Sequence, residues 1–85
     1  MEIRYRPRFV REYKKLPFQI QRLVEKRTVL FRKNPFDSRL KTHKLHGDLE
    51  GFHAFWIDYH NRIMFAFVNE QTVEFYSIGD HDIYS

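Results

Sequence analysis

The hydrophobic residues of this chain change their spacing midway along the sequence, and this change restricts the possible folds more than any other feature. Between residues 7 and 33, apolar side chains recur every three or four positions, which is the period of a helix with one buried face. Between residues 52 and 78 they largely alternate with other residues, which is the period of a strand. We therefore expect a helical segment and then a β-sheet, in one domain spanning residues 1–85.

Prolines divide the helical segment into two helices. A short alternating stretch over residues 2–6 is predicted to be a strand, and Pro7 ends it and can open a helix over 8–16. Pro17 breaks that helix and suits the first turn of a second one over 18–33, which the sequence NPFDS stops. The pattern predicts a helical hairpin that is apolar on one side.

Three runs rich in aromatic and β-branched residues follow a predicted loop over residues 39–51. Their linkers are short enough for hairpins, and the predicted strands are 52–59, 62–68 and 72–78. Together with the first strand, the order is β-α-α-β-β-β. This order predicts an α+β fold in which the two-helix hairpin packs on one face of an antiparallel sheet.

Strand alternation assigns the residues of the sheet to two faces. We expect the core face to carry Phe55, Ile57, Ile63, Phe65, Phe67, Val73 and Phe75. We expect the open face to carry Trp56, Asp58, Arg62, Met64, Glu74 and Tyr76. Aromatic rings and an arginine are unusual on an open face, and the turn at His60 and the C-terminal GDHDIY adjoin them. These groups are expected to converge on a shallow groove.

Charge is distributed very unevenly along the chain. Residues 1–44 have a balance of +10, whereas residues 45–85 have a balance of −6. So large a basic excess in the first half favours binding to a polyanion, RNA or DNA above all. The alternative is that the basic side chains are solvated helix faces that only keep the protein soluble.

Other features exclude several classes of protein. The chain has no cysteine, which excludes disulfides, thiolate metal sites and thiol nucleophiles. The N-terminal sequence MEIRYRPRF has no apolar signal region, and no apolar run is long enough to span a membrane. We expect a cytoplasmic protein that does not associate with membranes.

Five histidines are many for a chain of this length, and all of them lie in its second half. His43 and His46 have the spacing of half a metal site, but no second closely spaced pair follows. We therefore expect no bound metal and no cofactor. Each histidine on its own is more simply a surface or turn residue, but five of them near a single arginine indicate acid–base chemistry.

RNA carries its own nucleophile, the 2′-hydroxyl, so an enzyme can cleave it without a metal. Such an enzyme needs groups that transfer protons, for which histidine with its pKa of about 6.5 is suited. It also needs a cation for the phosphate, and the planar guanidinium of arginine contacts two phosphate oxygens at once. A suitable set is His43 or His46, His81, Arg62, and Tyr84 or Trp56.

Motifs in the second half resemble those of the RelE/ParE superfamily of type II toxin–antitoxin toxins, most closely the RelE- and YafQ-like mRNA interferases. After the basic hairpin comes H-x-L-x-G-x-L-x-G, here residues 43–51. A strand that opens with Arg62-Ile63 follows. The last motif is I-G-x-H-x-x-x-Y, here residues 78–84, with one residue fewer between histidine and tyrosine. The resemblance covers nearly the whole chain.

The resemblance implies roles for particular residues. It assigns proton transfer to His43 and His81, contact with the scissile phosphate to Arg62, and substrate stacking or polarisation to Tyr84. His46 and His60 match no fixed position of the family, and we retain them as secondary candidates for binding substrate. The remaining expected substrate contacts are phosphate contacts from Arg39, Lys41 and Lys44 and aromatic contacts from Trp56 and Tyr76.

The resemblance also implies an activity and partners. It predicts an endoribonuclease that cleaves mRNA in the ribosomal A site, and an acidic or amphipathic antitoxin that covers the basic hairpin and a sheet edge in a hetero-oligomer. Two alternatives remain open. ParE-like members share the fold but inhibit DNA gyrase, which requires no acid–base pair, and a catalytically inactive homologue would have neither activity.

Overall fold

The structure, a computed structural model, describes residues 1–84. Its helices and strands in chain order are β1 (Glu2–Tyr5), α1 (Pro7–Lys14), α2 (Phe18–Lys33), β2 (His43–Lys44), β3 (His53–Trp56), β4 (Arg62–Asn69) and β5 (Thr72–Gly79). Short 3-10 turns are formed by Ser38–Leu40, Gly47–Leu49 and His81–Tyr84. The expected α+β fold with a helical hairpin is confirmed.

The helices begin where the prolines predict. Pro7 is the first residue of α1, and Pro17 is the N-cap of α2. The apolar faces of the hairpin bury Phe9 and Phe31 against the sheet. The Phe31 ring is fully buried, and it contacts the rings of Phe55, Phe65 and Phe75 at centroid distances of 4.7, 5.0 and 5.4 Å. Within residues 1–84, neither helix is long and apolar enough to cross a bilayer.

The sheet has five strands in the order β1-β5-β4-β3-β2. Strands β3, β4 and β5 form the two expected antiparallel hairpins, whereas β1 pairs with β5 in parallel. The sheet is therefore mixed rather than wholly antiparallel. The helical hairpin, and not a tight turn, connects β1 to the rest of the chain, so no turn forces β1 to run antiparallel to its neighbour. The two-residue strand β2 forms within the predicted loop and pairs with β3.

The division of residues between the two faces matches the prediction except at two positions. Phe67 was expected to be buried but is 39% exposed. It precedes a register shift in β4, and it packs against Phe36, which follows α2, and against His53. Met64 lies on the opposite face but is only 5% exposed, and Pro7 and Tyr76 lie close to it. The first turn of α1 therefore covers part of the face that was expected to be open.

Candidate functional site

Three strand ends meet at one edge of the sheet and form a cavity. Trp56 at the end of β3 pairs with Arg62 at the start of β4, and Arg62 pairs with Gly79 at the end of β5. The turn after β3 and the turn after β5 therefore lie side by side. Between them is a cavity of about 400 Å³, lined by Trp56, Tyr59, His60, Arg62, Asp80, His81 and Asp82. Four of the candidates named from the sequence line this one cavity: Trp56, His60, Arg62 and His81.

Arg62 is held against an aromatic ring and keeps an unused donor. Its guanidinium carbon lies 4.7 Å from the centroid of the Trp56 ring, which is a cation–π contact between cross-strand neighbours. Its Nη1 atom is buried without a hydrogen-bond partner among residues 1–84. Within the same residues, no carboxylate forms an ion pair with it. Arg62 is thus a cation that is held by Trp56 at the wall of the cavity and has no carboxylate partner in the described residues.

Tyr84 provides a second unused donor. Its hydroxyl is buried and, in the described part of the chain, has no hydrogen-bond partner. Burial raises the pKa of Tyr84, and the positive charge of Arg62 only partly opposes that rise, so the phenol stays protonated at neutral pH. The Tyr84 ring lies 6.4 Å from the His81 ring. These contacts place the phenol near both Arg62 and His81.

Helix α1 holds the C-terminal turn in place. Strand β1 covers the edge of β5 only from Thr72 to Phe75, and beyond that point Glu12 accepts hydrogen bonds from Ser77 Oγ at 2.7 Å and Ile78 N at 3.1 Å. Arg8 bonds to Glu12 at 3.3 Å and donates to the carbonyl oxygen of Ile83 at 3.1 Å. The end of β5 and the turn that carries His81 and Tyr84 are therefore both tied to α1.

Close packing adds to this attachment. The Ile83 side chain is buried, and a Cβ atom at Gly79 would lie only 3.0 Å from Ile83 Cγ2. A side chain at position 79 would therefore require Ile83 to shift by a few tenths of an ångström. The glycine of the I-G-x-H motif thus allows a close approach between the end of β5 and the C-terminal turn.

Lys41 and His43 lie on the other side of Trp56. Lys41 has a left-handed backbone, with φ of 53°, and its Nζ atom lies 5.0 Å from the centroid of the Trp56 ring. His43 Nδ1 lies 2.9 Å from the Lys41 carbonyl oxygen. His43 pairs with Ala54, so its side chain is on the same face of the sheet as Trp56 and Arg62. With strands ~4.8 Å apart and a rise of ~3.4 Å per residue, the Cα atoms of His43 and Arg62 are roughly 12 Å apart.

The other candidates lie away from the cavity. Arg39 forms a double hydrogen bond with Asp37 at 3.0 and 2.9 Å, and these bonds lower the pKa of Asp37 to about 2. Lys44 pairs with His53, and His53 stacks on Phe65 of the core face. The Lys44 side chain is therefore directed to the core face, opposite the face that carries Arg62. The remaining two are His46, which lines a different cavity of about 470 Å³, and Tyr76, whose hydroxyl donates to Glu74 at 3.0 Å.

Three residues of the cavity were not among the candidates: Tyr59, Asp80 and Asp82. The order of the strands could have indicated these residues, because antiparallel hairpins bring the end of β3, the start of β4 and the end of β5 to the same edge of the sheet. Asp80 and Asp82 flank His81 and carry negative charge into a site that would bind an anion. No group of three or more histidine, aspartate or glutamate side chains in residues 1–84 is arranged to hold a metal.

Comparison with known proteins gives a fold but no close relative. No family model matches the sequence, and a search of curated proteins found no match. Among solved structures, YafQ from Escherichia coli BL21(DE3) has a TM-score of 0.80 at 15% identity, covering 98% of this chain and 96% of that one.

Two solved complexes contain a chain of the same fold. The YoeB–YefM toxin–antitoxin complex from Staphylococcus aureus has a TM-score of 0.77 at 18% identity, covering 95% and 97% of the two chains. The RelE–RelB complex from Pyrococcus horikoshii OT3 has a TM-score of 0.75 at 14% identity, covering 93% and 92%. The chain therefore has the fold of the RelE/ParE superfamily toxins, and the resemblance seen in its sequence motifs is confirmed at the level of the fold.

Proposed function

We propose that this chain, which has the fold of RelE/ParE toxins, is the toxin of a type II toxin–antitoxin system and cleaves mRNA on the ribosome. One observation carries the proposal. Arg62, which has no carboxylate partner within residues 1–84, lines one cavity together with His60 and His81, and the Tyr84 ring lies 6.4 Å from the His81 ring. An arginine without a counter-ion beside two imidazoles is suited to bind a phosphate group, whose oxygens accept hydrogen bonds from the guanidinium.

The proposed chemistry uses the nucleophile that RNA provides. The 2′-oxygen bonds to phosphorus while the bond from phosphorus to the 5′-oxygen breaks, leaving a 2′,3′-cyclic phosphate and a free 5′-hydroxyl. A general base takes the proton of the 2′-hydroxyl, and a general acid donates one to the departing 5′-oxygen. Arg62 and Tyr84 stabilise the negative charge that develops on the phosphorane, Arg62 by its cationic fork and Tyr84 by a neutral O–H. The reaction needs no metal and no cofactor.

His81 is the first proton-transfer group in this proposal, and two histidines compete for the second role. His60 lines the same cavity as His81 and Arg62. His43 matches the family motif but lies on the far side of Trp56, bonded through Nδ1 to the Lys41 carbonyl. His60→Ala and His43→Ala, assayed for cleavage as a function of pH, separate the two, because only loss of the true partner removes one limb of the pH profile.

The basic half of the chain would bind the RNA backbone and its surroundings. Lys41 is the best placed of the proposed phosphate contacts, since it shares the Trp56 ring with Arg62. YoeB and RelE occur in complexes with YefM and RelB, and we propose a corresponding antitoxin for this chain in the cytoplasm. An acidic partner would neutralise the hairpin, because residues 1–44 have a balance of +10.

The proposal is tested by inducing the chain in bacteria and mapping the 5′ ends of cellular mRNA. Cleavage within translated codons, together with growth arrest, is the expected result. Arg62→Ala should abolish both, whereas the matched control Arg4→Ala, an exposed arginine on β1, should abolish neither. DNA breaks and filamentation with intact mRNA would instead support gyrase inhibition, and the absence of any growth effect would support an inactive homologue.

A further inference from the structure

The turn between β3 and β4 is unusually well ordered by its own hydrogen bonds. Asp58 Oδ1 accepts from His60 N at 2.8 Å, from Asn61 N at 2.7 Å and from Asn61 Nδ2 at 3.1 Å. Ile57 N also donates to Asn61 O at 2.8 Å. Burial opposes ionisation of Asp58, but the hydrogen bonds from Asn61 and His60 outweigh it and lower its pKa. The charged form of Asp58 thus holds the backbone of residues 58–61 in one conformation.

This rigid turn presents a large aromatic ring to solvent. Tyr59 is 74% exposed and lines the same cavity as Arg62 and His81. Its two aromatic contacts are nearly perpendicular, at 87° to Trp56 and 83° to His60. No ring in the described residues lies parallel to it. Most of the Tyr59 ring is therefore available to a planar ligand that reaches the cavity.

Trp56, one of the aromatic residues that the sequence indicated for substrate contact, is less available. Two cations already lie over its ring, Arg62 at 4.7 Å and Lys41 at 5.0 Å. Trp56 therefore already contacts two of the cations that are proposed to bind phosphate. Tyr59 has no such occupant.

We infer that Tyr59 stacks on a nucleobase of the RNA nucleotide adjacent to the phosphate held by Arg62. This inference rests on the proposed function, and it makes residues 58–61 the base-binding element of the site. Unstacked RNA bases are commonly held by exposed aromatic side chains, and the contact tolerates different bases because each has a flat π-face. The rigid turn favours the contact because little conformational freedom is lost when the base binds.

The test uses Trp56, the only tryptophan of the chain, as a fluorescent reporter beside both Tyr59 and Arg62. The ligands are a trinucleotide with 2′-O-methyl sugars, which cannot be cleaved, and three versions that each lack one base. The wild-type protein should bind one abasic version much more weakly than the others. Tyr59→Ala should weaken binding of the intact trinucleotide by about 5- to 100-fold, and should remove this discrimination.

Three further proteins complete the experiment. Tyr59→Phe should bind like the wild type, because the ring and not the hydroxyl makes the contact. Phe18→Ala, which removes a similarly exposed ring outside the cavity, should also bind like the wild type. Arg62→Ala should weaken binding of all four ligands and of inorganic phosphate.

The outcomes separate the inference from the function on which it rests. If binding depends on Arg62, but Tyr59→Ala binds all four ligands as the wild type does, the stacking role is overturned and the RNA site stands. If neither the trinucleotide nor inorganic phosphate shows Arg62-dependent binding up to millimolar concentrations, the RNA site and the stacking role are both overturned. Thermal unfolding of each variant verifies that the fold is retained.

Discussion

At the scale of single residues, the site contains unfavourable features that a folded core would normally eliminate. Arg62 Nη1 and the Tyr84 hydroxyl are buried without partners in the described chain, and each such group destabilises the folded state by about 1–3 kcal/mol. The side chains are nonetheless fixed, Arg62 by Trp56 and Tyr84 by the turn that contains the buried Ile83. A binding site that is prepared in advance for an anion has this combination of order and unsatisfied polarity.

Removal of the Tyr84 hydroxyl should have opposite effects on stability and activity. Tyr84→Phe should raise the free energy of unfolding by about 1 kcal/mol, because it removes the unsatisfied hydroxyl and keeps the ring. The same change should lower the rate of RNA cleavage by about 100-fold, because a donor to the phosphorane is lost. Urea denaturation and a cleavage assay measure the two effects, and Tyr5→Phe, outside the cavity, should change neither. A destabilised but fully active Tyr84→Phe variant would contradict the role given to this hydroxyl.

His53 is the histidine that the structure uses for packing. Its ring stacks on Phe65 at 5.5 Å and contacts Phe36 and Phe67, and burial lowers its pKa, with Lys44 and His43 adding to that effect. The imidazole is therefore neutral in the folded state at neutral pH. Its contribution to stability is complete above the unfolded pKa of about 6.5 and is lost as the pH falls through the lower folded pKa.

His53→Phe should accordingly reduce the dependence of stability on pH. The wild type should lose melting temperature between about pH 7 and about pH 5, and the variant should lose less over the same range, since it has no imidazole to protonate. Melting curves at a series of pH values provide the measurement. His46→Phe, at an exposed position, is the matched control and should keep the wild-type dependence. An unchanged slope in His53→Phe would show that other groups cause the acid sensitivity.

At the scale of elements, α1 has a part in the site that its sequence does not indicate. The helix continues the edge of the sheet beyond β1, and Glu12 satisfies the Ile78 N–H group that β1 leaves without a strand partner. Arg8 connects Glu12 to the Ile83 carbonyl. The position of His81 and Tyr84 therefore depends on a carboxylate that is 65 and 66 residues away from its two partners in sequence.

Removal of that carboxylate should affect both folding and function. Glu12→Ala should cost about 1–3 kcal/mol of stability, because the buried Ser77 hydroxyl and the Ile78 N–H lose their acceptor. Cleavage should fall further than the fraction of unfolded protein explains, since the C-terminal turn loses its attachment. Glu25→Ala on α2 should change stability by less than about 0.5 kcal/mol. Equal stabilities for the two variants would rule out the proposed attachment.

The helices and the β3–β4–β5 meander could be predicted because their periods and their proline and turn signals are local properties of the sequence. The parallel pairing of β1 with β5 and the pairing of β2 with β3 could not be predicted, because each depends on which edge of the sheet is free. The same distinction holds in the site. Arg62, His60 and His81 could be placed together from strand ends and short turns, whereas Tyr59 was missed because an exposed tyrosine in a turn has no periodic signature.

At the scale of the whole molecule, the two halves of the chain differ in charge, and the cavity lies in the acidic half. Residues 1–44 have a balance of +10 and residues 45–85 a balance of −6, yet the cavity with its two aspartates belongs to the second half. An RNA strand would approach through the field of the basic hairpin and then meet a site with few cations. A site of this kind fits an enzyme whose substrate is also positioned by the ribosome.

Chemical analysis of the cleaved RNA tests the central claim most directly. Translating ribosomes programmed with a defined mRNA are mixed with the purified protein, and the new RNA ends are identified. The account predicts a 2′,3′-cyclic phosphate and a 5′-hydroxyl at the cut, and no cut when a single 2′-deoxynucleotide lies 5′ of the scissile phosphate or when Arg62→Ala replaces the wild type. Intact mRNA, or cleavage that leaves a 5′-phosphate and tolerates the 2′-deoxynucleotide, would contradict it.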